Sequence, residues 1–154
     1  MGIAITLAQY LAEQGVKYNV VEHPHAVTAS ESAKTSHISL NRLAKAVVLK
    51  GEDGFMLAVL PASSHIQFGQ LRKQLGADVD MASEEQIETL FLDCEPGAVP
   101  ALGAAYGLEV IVDDSLVSEP EIYLEGGDHA SLVHISGSTF QKLLADARHA
   151  RFTE

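Results

Sequence analysis

The 154-residue chain contains one cysteine, no tryptophan and few positive charges. Cys94 has no partner for an internal disulfide, a composition typical of proteins in a reducing compartment. Lys and Arg total 10 against 21 Asp and Glu, which gives a formal net charge of −11. Proteins that bind nucleic acid through a broad basic surface neutralise many phosphates, so this charge argues against that class, DNA-binding proteins included.

Long apolar runs and targeting signals are also missing. Runs such as residues 55–60 are far shorter than the roughly 20 residues that a membrane-spanning helix needs. The first residues carry no basic segment of the kind that opens a secretory signal. We find no repeat and no linker, and the length falls within the roughly 100–200 residues of one domain. We therefore expect a single domain over residues 1–154, a cytoplasmic location and no membrane partner.

The common catalytic motifs are absent as well. The chain has no Gly-x-Ser-x-Gly elbow, no His-Glu-x-x-His, no phosphate-binding Gly-Lys-Ser/Thr loop and no dinucleotide glycine fingerprint. His23-Pro24-His25 is the nearest approach to a metal motif, but it lacks cysteine partners and helical His spacing. We expect neither a metal nor a cofactor.

Two hairpins are the clearest structural signals. β-rich runs over 46–49 and 55–60 flank the turn at 51–54, and a second pair, 121–125 and 131–136, flanks Gly126-Gly127-Asp128. Single strands are predicted over 18–22 and 109–113. Cap residues and apolar stripes predict helices between them. In chain order the predicted helices are Thr6 (cap) to Gly15, a short helix opened by Thr28 with Glu31, residues 68–75, Ser83 (cap) to about Phe91, and residues 138–147. We expect the tail over 148–154 to be frayed. This order predicts an α+β domain with a mixed, largely antiparallel sheet.

Lys45 departs from the pattern of its strand. Alternation places it on the same face as Leu43, Val47 and Leu49. A charge on an apolar face is costly without a partner. In one interpretation the stem lies on the core and the ammonium reaches water. In the other, the ammonium points into a pocket and meets a phosphate or carboxylate.

The segment 93–103 and His129 leave similar alternatives open. Two prolines and two glycines lie within residues 96–103, which makes a stiff loop. The loop is either a rigid connection or a backbone cradle for a carbonyl or oxyanion. His129 is either an exposed side chain at a hairpin tip or a neutral hydrogen-bonding group beside a substrate. Cys94 lies between two acidic residues that disfavour a thiolate, so we interpret it as a structural thiol.

Four stretches together resemble the YbaK/prolyl-tRNA-editing family, the stand-alone relatives of the editing domain (INS) inserted in bacterial prolyl-tRNA synthetases. They are LAKAVVL (43–49), LAVLPAS (57–63), DCEPGAVP (93–100) and GDH (127–129). The resemblance implies a barrel-like mixed sheet surrounded by helices. It also implies a hydrolase that removes a small amino acid from mischarged tRNA-Pro or a similar tRNA. The partners would be the acceptor end of that tRNA and an aminoacyl-tRNA synthetase.

The resemblance also implies site residues. Lys45 stands where the family's pocket lysine contacts the phosphate or sugar of the tRNA end, Gly97 opens the family's Gly-x-x-x-Pro loop, and His129 follows the second hairpin turn. These three are the expected catalytic residues, with backbone N–H groups near Gly97 and Ala98 facing the oxyanion. The expected substrate-binding residues are Ala98, Val99, Pro100, Ser63 and Asp128. One departure is that proline stands at 100, and Ala101 occupies the usual place of the motif proline.

A second function class remains open from the sequence. The displaced proline and the acidic surface also suit a non-catalytic module that senses a free amino acid or an aminoacyl-nucleotide. Such a sensor would protect or ignore the ester of a mischarged tRNA, whereas a deacylase would hydrolyse it. The amino acid, the tRNA and the oligomeric state are not determined by these patterns.

Overall fold

Eight strands form one mixed sheet, with helices against both of its faces. The structure, a computed structural model, describes residues 2–26 and 28–154. The elements are α1 (Ile5–Gln14), β1 (Asn19–Glu22), α2 (Ala29–Ser36), β2 (Leu43–Gly51), β3 (Gly54–Pro61), α3 (Phe68–Leu75), β4 (Asp80–Met81), α4 (Glu84–Leu90), β5 (Glu109–Asp113), β6 (Glu121–Glu125), β7 (Ser131–Ser136), α5 (Gly137–Leu143) and β8 (Arg148–Ala150), with short 3-10 turns at Gly103–Tyr106 and Asp114–Leu116. In the described ranges, each helix is too short or too polar to cross a bilayer.

The sheet is mixed, as predicted. Its strand order is β1-β7-β6-β2-β3-β5-β8, and β4 adds to β2. Pairs β1/β7, β2/β3, β2/β4 and β6/β7 are antiparallel, while β2/β6, β3/β5 and β5/β8 are parallel. The path is open: within residues 2–26 and 28–154, no hydrogen-bonded pairing joins β1 to β8. The two hairpins have the predicted positions, because turn residues and β-branched runs both act locally.

Side-chain alternation divides the core between the two faces. The main core lies on the face covered by α1, α4 and α5, and includes Ala44, Val48 and Leu124. The opposite face carries two smaller clusters. The α3 cluster contains Leu49, Leu60 and Leu71, and the α2 cluster contains Ala33, Leu43 and Leu132. Lys45 belongs by alternation to this second face, between the α2 and α3 clusters.

The start of α1 corrects one prediction. Thr6 is not its cap, because Ala4 occupies the N-cap position without a capping side chain. Instead, the carboxylate of Asp93 accepts a hydrogen bond from the Thr6 backbone N–H at 2.8 Å. A free N–H in the first helical turn is thus satisfied from a distant loop rather than locally. The predicted caps at Thr28 and Ser83 are confirmed, the second as a full capping box.

The C-terminal segment corrects a second prediction, that the tail is frayed. The last helix ends at Leu143, and the tail predicted to fray forms β8, which pairs in parallel with β5. Phe152 is fully buried in the α3 cluster. Asp113, itself 1% exposed, accepts hydrogen bonds from the Phe152 N–H at 2.9 Å and from the Thr153 hydroxyl at 3.1 Å. One buried carboxylate therefore anchors the tail to the end of β5.

The pKa of Asp113 follows from these contacts. Burial alone would raise the pKa of this carboxyl, but hydrogen bonds from Ser115, Phe152 and Thr153 outweigh it and lower the pKa below its ordinary value. The group therefore stabilises the folded chain when ionised.

We predict that Asp113→Asn lowers the free energy of unfolding by about 2 kcal/mol, because an acceptor for the tail becomes a donor. Urea unfolding measures this, with the exposed neighbour Asp114→Asn as the control; equal stability of both variants would contradict the anchoring role.

Candidate functional site

Lys45 is a partly buried cation on an apolar sheet face. Its Cα pairs with that of Leu60 across the β2–β3 hairpin, and on the same face Leu43 and Leu49 are fully buried and Val47 is partly buried. Burial lowers the pKa of the Lys45 ammonium below its usual value. Among the described residues, no carboxylate or hydrogen-bond acceptor contacts the ammonium. A charge held in this way is available to an incoming anion.

The loop before β5 folds around a tight turn at residues 95–98. The Ala98 N–H donates to the Glu95 carbonyl at 3.1 Å, Pro96 stands at the second position, and Gly97 at the third has φ 83°. This is the pattern of a type II β-turn, whose third residue needs a positive φ and so favours glycine. The stiffness predicted from composition therefore arises from one defined turn.

This turn is fastened to the β6–β7 hairpin by two hydrogen bonds, which we call the loop clasp. The Glu95 N–H donates to the Gly127 carbonyl at 2.7 Å, and the ring Nε2 of His129 donates to the Pro96 carbonyl. The structure thus brings two of the three predicted catalytic positions, Gly97 and His129, next to each other. His129 is 3% exposed, so the interpretation as an exposed hairpin-tip side chain is wrong.

The geometry of His129 defines the state of its ring. A carbonyl only accepts, so Nε2 carries the hydrogen, and Nδ1 of the neutral ring is an acceptor. Nδ1 is buried and has no partner within the described part of the chain. The backbone of His129 has φ 58°, uncommon for a residue other than glycine, and its carbonyl accepts from the Ala26 N–H at 2.8 Å. The ring of His25 lies edge-on to it, with 5.5 Å between centroids.

Glu125 is a functional candidate that the sequence reasoning missed. It ends β6, is 4% exposed, and accepts a hydrogen bond from the Ser32 hydroxyl at 3.3 Å through Oε2. Its other oxygen, Oε1, is buried without a partner in the described residues. Burial raises the pKa of Glu125 to about 7; the negative charge of Asp128 adds to this rise, and the Ser32 hydrogen bond opposes it. A buried carboxyl that titrates near neutrality is a frequent mark of functional sites.

The sheet register places Glu125 and Lys45 in one row. Leu43 pairs with Tyr123 and Ala44 with Leu124, so the next residues along the parallel strands β2 and β6 are Lys45 and Glu125. Glu125 also pairs with Leu132, a member of the α2 cluster, and paired residues point to the same face. Both ionisable groups therefore lie on the second face, yet no ion pair joins them among the described residues.

The remaining predicted site residues have other surroundings. Ala98, Val99 and Pro100 are buried, so their side chains shape the loop and present no surface to a ligand. Both carboxylate oxygens of Asp128 are used in the hairpin turn, where they accept from the Ala130 N–H and the Ser131 hydroxyl. Ser63 is exposed and donates to the Asn41 side chain at 2.5 Å.

The candidate site differs from three of the surface clefts. These clefts lie at the β2–β3 turn beside α3, between the α1–β1 connection and the end of β7, and at the end of α5. Lys45, Gly97, Glu125 and His129 line none of these three. We place the site at the sheet face instead, because unpartnered buried polar atoms indicate a ligand more directly than volume does. In the described residues, no hydrogen bond or ion pair joins Lys45 to Gly97 or His129.

The surroundings of Cys94, His23 and His25 do not favour a thiolate nucleophile or a metal site. Burial raises the pKa of the Cys94 thiol to about 11, and the thiol contacts the Tyr106 hydroxyl at 3.3 Å, so it is protonated at neutral pH. His23 uses Nδ1 on the Pro24 carbonyl at 2.7 Å, and His25 contacts Glu95 at 3.3 Å. Within residues 2–26 and 28–154, no three His, Cys, Asp or Glu side chains are grouped to hold a metal ion.

Comparison with known sequences gives a family match. Residues 23–143 match the family model of the aminoacyl-tRNA editing domain. Over 65 residues the chain is 31% identical to the proline–tRNA ligase of Thermosipho africanus (strain TCF52B), and over 69 residues it is 29% identical to that of Thermosipho melanesiensis (strain DSM 12029 / CIP 104789 / BI429). These matches cover 42% and 44% of this chain, but 12% of each ligase, so the chain spans a small part of these curated relatives.

Comparison with solved structures agrees on the fold. The chain is similar to a candidate trans-editing enzyme for prolyl tRNA synthetase, with a TM-score of 0.85 and 24% identity over 97% of this chain and 95% of that one. It is also similar to a candidate signal transduction protein from Marinobacter aquaeolei VT8, with a TM-score of 0.79 and 20% identity over 97% of this chain and 30% of that one. The mixed sheet with surrounding helices is thus a known arrangement.

The raised pKa of Glu125 predicts a pH-dependent stability. A carboxyl whose folded pKa lies above its unfolded value favours folding below the unfolded pKa, and this contribution is lost as pH rises through about 7. Relative to Glu125→Gln, the wild-type chain should lose about 2 kcal/mol of unfolding free energy between about pH 5 and 8. Urea unfolding of both proteins at the two pH values measures this. Parallel pH profiles would show that the carboxyl does not titrate in this range.

Proposed function

Since the chain belongs to the aminoacyl-tRNA editing domain family, we propose that it is a trans-editing deacylase that hydrolyses the ester of mischarged aminoacyl-tRNA. The observation that carries this proposal is the Lys45 ammonium, which lies on an apolar sheet face and has no counter-ion among the described residues. In this proposal residues 1–154 form one editing domain with a cytoplasmic site of action.

Lys45 binds and orients the substrate in this proposal. Its ammonium takes a phosphate or sugar oxygen of the terminal nucleotide, the anionic or polar part of the substrate. Electrostatic attraction is stronger at a partly buried site than in water, because the effective dielectric constant is lower. Lys45 does not need to act as a base, since the ester is already activated and hydrolysis depends mainly on placing a water molecule.

The loop and hairpin supply the groups near the reacting carbon. Water attacks the ester carbonyl, a C–O bond forms, and the ester C–O bond then breaks as the ribose oxygen takes a proton. The Gly97 N–H, which has no acceptor in the described residues, donates to the developing oxyanion. The Ala98 N–H, expected to share this role, donates to the Glu95 carbonyl within the turn, so the proposal assigns the oxyanion to the Gly97 N–H. The Nδ1 atom of His129 accepts a hydrogen bond from the ribose hydroxyl or from the water.

Charge limits how much of the tRNA the protein contacts. Arg42, one of few cations near the site, lies 3.4 Å from Glu119 and 3.5 Å from Glu121, and Arg72 lies 3.0 Å from Asp80. These pairs hold two of the ten Lys and Arg side chains, and the net charge of −11 repels the rest of the tRNA. We propose that the domain binds the acceptor end alone, with a small amino acid on tRNA-Pro or a similar tRNA, and that a synthetase brings the substrate to it.

We predict that Lys45→Ala lowers kcat/KM for deacylation by about 100-fold or more, the size seen when one preorganised electrostatic contact is removed. The measurement is the release of amino acid from a panel of mischarged tRNAs. Lys50→Ala is the matched control, since Lys50 is an exposed lysine on the same strand. Circular dichroism shows whether both variants keep the fold. Wild-type turnover by Lys45→Ala on every tRNA would remove Lys45 from the mechanism.

The same panel separates the deacylase from a sensing module. The alternative has one supporting observation: among the described residues of the turn 95–98, the Glu95 and Ala98 N–H groups are engaged and Pro96 has none, so only the Gly97 N–H is left for an oxyanion. A sensor would bind the aminoacyl end and leave the ester intact. Binding without release of amino acid, for every substrate in the panel, would favour the sensing function over catalysis.

The salt dependence of tRNA binding tests whether the protein contacts only the acceptor end. If the protein neutralises only two or three phosphates of the single-stranded acceptor end, the plot of log binding constant against log salt has a slope of about −1 to −2. Fluorescence anisotropy of a labelled tRNA, titrated at several salt concentrations, gives this slope. A much steeper slope would mean that a wide surface of the protein contacts the tRNA.

A further inference from the structure

We propose that Glu125, oriented by Ser32, binds the α-ammonium of the aminoacyl group and so fixes the direction in which the substrate lies. This inference rests on the proposed function and adds a residue that recognises the amino acid end. The supporting observation is that Glu125 and Lys45 lie in adjacent strands on the same sheet face, and each is without an ionic partner in the described residues.

The hydrogen bonds of the fold satisfy only one oxygen of the Glu125 carboxylate among the described residues. Glu125 is 4% exposed, and the hydroxyl of Ser32 on α2 donates to Oε2 at 3.3 Å, while Oε1 has no donor in the part of the chain that the structure describes. Leaving a buried acceptor unpaired is costly, and such groups in folded proteins are nearly always satisfied by protein, water or ligand. A donor from a bound molecule would complete this carboxylate.

The charges of an aminoacyl-tRNA end identify the donor that pairs with Glu125. An aminoacyl-tRNA end has negative phosphates, neutral sugar and base, and one positive group, the α-ammonium. The hydroxyls of the sugar are weaker partners for a buried carboxylate than an ammonium, because charge-assisted hydrogen bonds are roughly twice as strong as neutral ones. Phosphate is repelled by Glu125 and attracted by Lys45. The nucleotide therefore lies toward Lys45, and the amino group of the amino acid lies toward Glu125.

The neighbourhood of Glu125 strengthens the preference for a cation. Asp128 lies close enough for its negative charge to disfavour a second anion here. His23, whose backbone N–H donates to the Ala130 carbonyl at 2.9 Å, has a buried ring Nε2 without a partner in the described residues. Together with Oε1 of Glu125 it provides buried acceptors for the N–H donors of an ammonium.

The experiment compares substrates with and without the ammonium. Wild type, Glu125→Gln and the exposed control Glu109→Gln are assayed on alanyl-tRNA and on N-acetyl-alanyl-tRNA, in which the charge is absent. We expect the wild type and Glu109→Gln to prefer the free amine by about tenfold or more in kcat/KM, the size of one charged hydrogen bond. Glu125→Gln should lose this preference, so that its loss of kcat/KM is about tenfold larger on the free amine than on the acetylated substrate. A retained preference, or equal losses on both substrates, would overturn the inference.

A binding measurement keeps this test independent of catalysis. Alanine joined to 3′-amino-3′-deoxyadenosine by an amide cannot be released as an ester, and its binding is followed by calorimetry with and without N-acetylation. Tighter binding of the free amine to wild type than to Glu125→Gln supports the inference even if no ester is hydrolysed, an outcome that would refute only the deacylase function. Ser32→Ala, which keeps the carboxylate, should reduce the preference by about threefold. No effect of the amine on binding to the wild type would refute the ammonium site itself.

Discussion

The site depends on a positive charge that the protein does not neutralise. Lys45 stands between two apolar clusters of one sheet face, where a carboxylate would be the usual companion, and the carboxylate beside it in the row, Glu125, is bound by Ser32 instead. Keeping the two charges unpaired is costly for the isolated protein, because each is partly or fully removed from water. That cost is offset when a ligand carries both complementary charges, and such unfavourable arrangements are concentrated at functional sites.

The loop clasp does not depend on the side chains of residues 98–101. Proline lies at 100 and alanine at 101, the position where the resemblance implies a proline. The loop is held by the Glu95 N–H, the Pro96 carbonyl and the type II turn, and these contacts use backbone atoms or His129. The side chains of residues 98–101 contribute burial, so the hydrogen bonds of the clasp do not require a proline at 101.

Local patterns made much of the fold predictable. The hairpins, the caps at Thr28 and Ser83 and the orientation of Lys45 all depend on residues within a few positions of each other. The cap of α1 and the order of the tail were missed because they depend on Asp93 and Asp113, which lie far away in sequence. Glu125 was missed for a related reason: in EIYLE it alternates with Glu121 and Tyr123 as an exposed face would, and only the packing of α2 buries it.

The anchoring of the tail has a consequence for association between molecules. Residues 148–153 provide β8, Phe152 and the partners of Asp113. When these contacts open, the outer edge of β5 loses its neighbour and the α3 cluster loses an aromatic ring. The unpaired backbone groups of β5 are then open to a strand of another molecule, so the Asp113 contacts also protect the protein from aggregation.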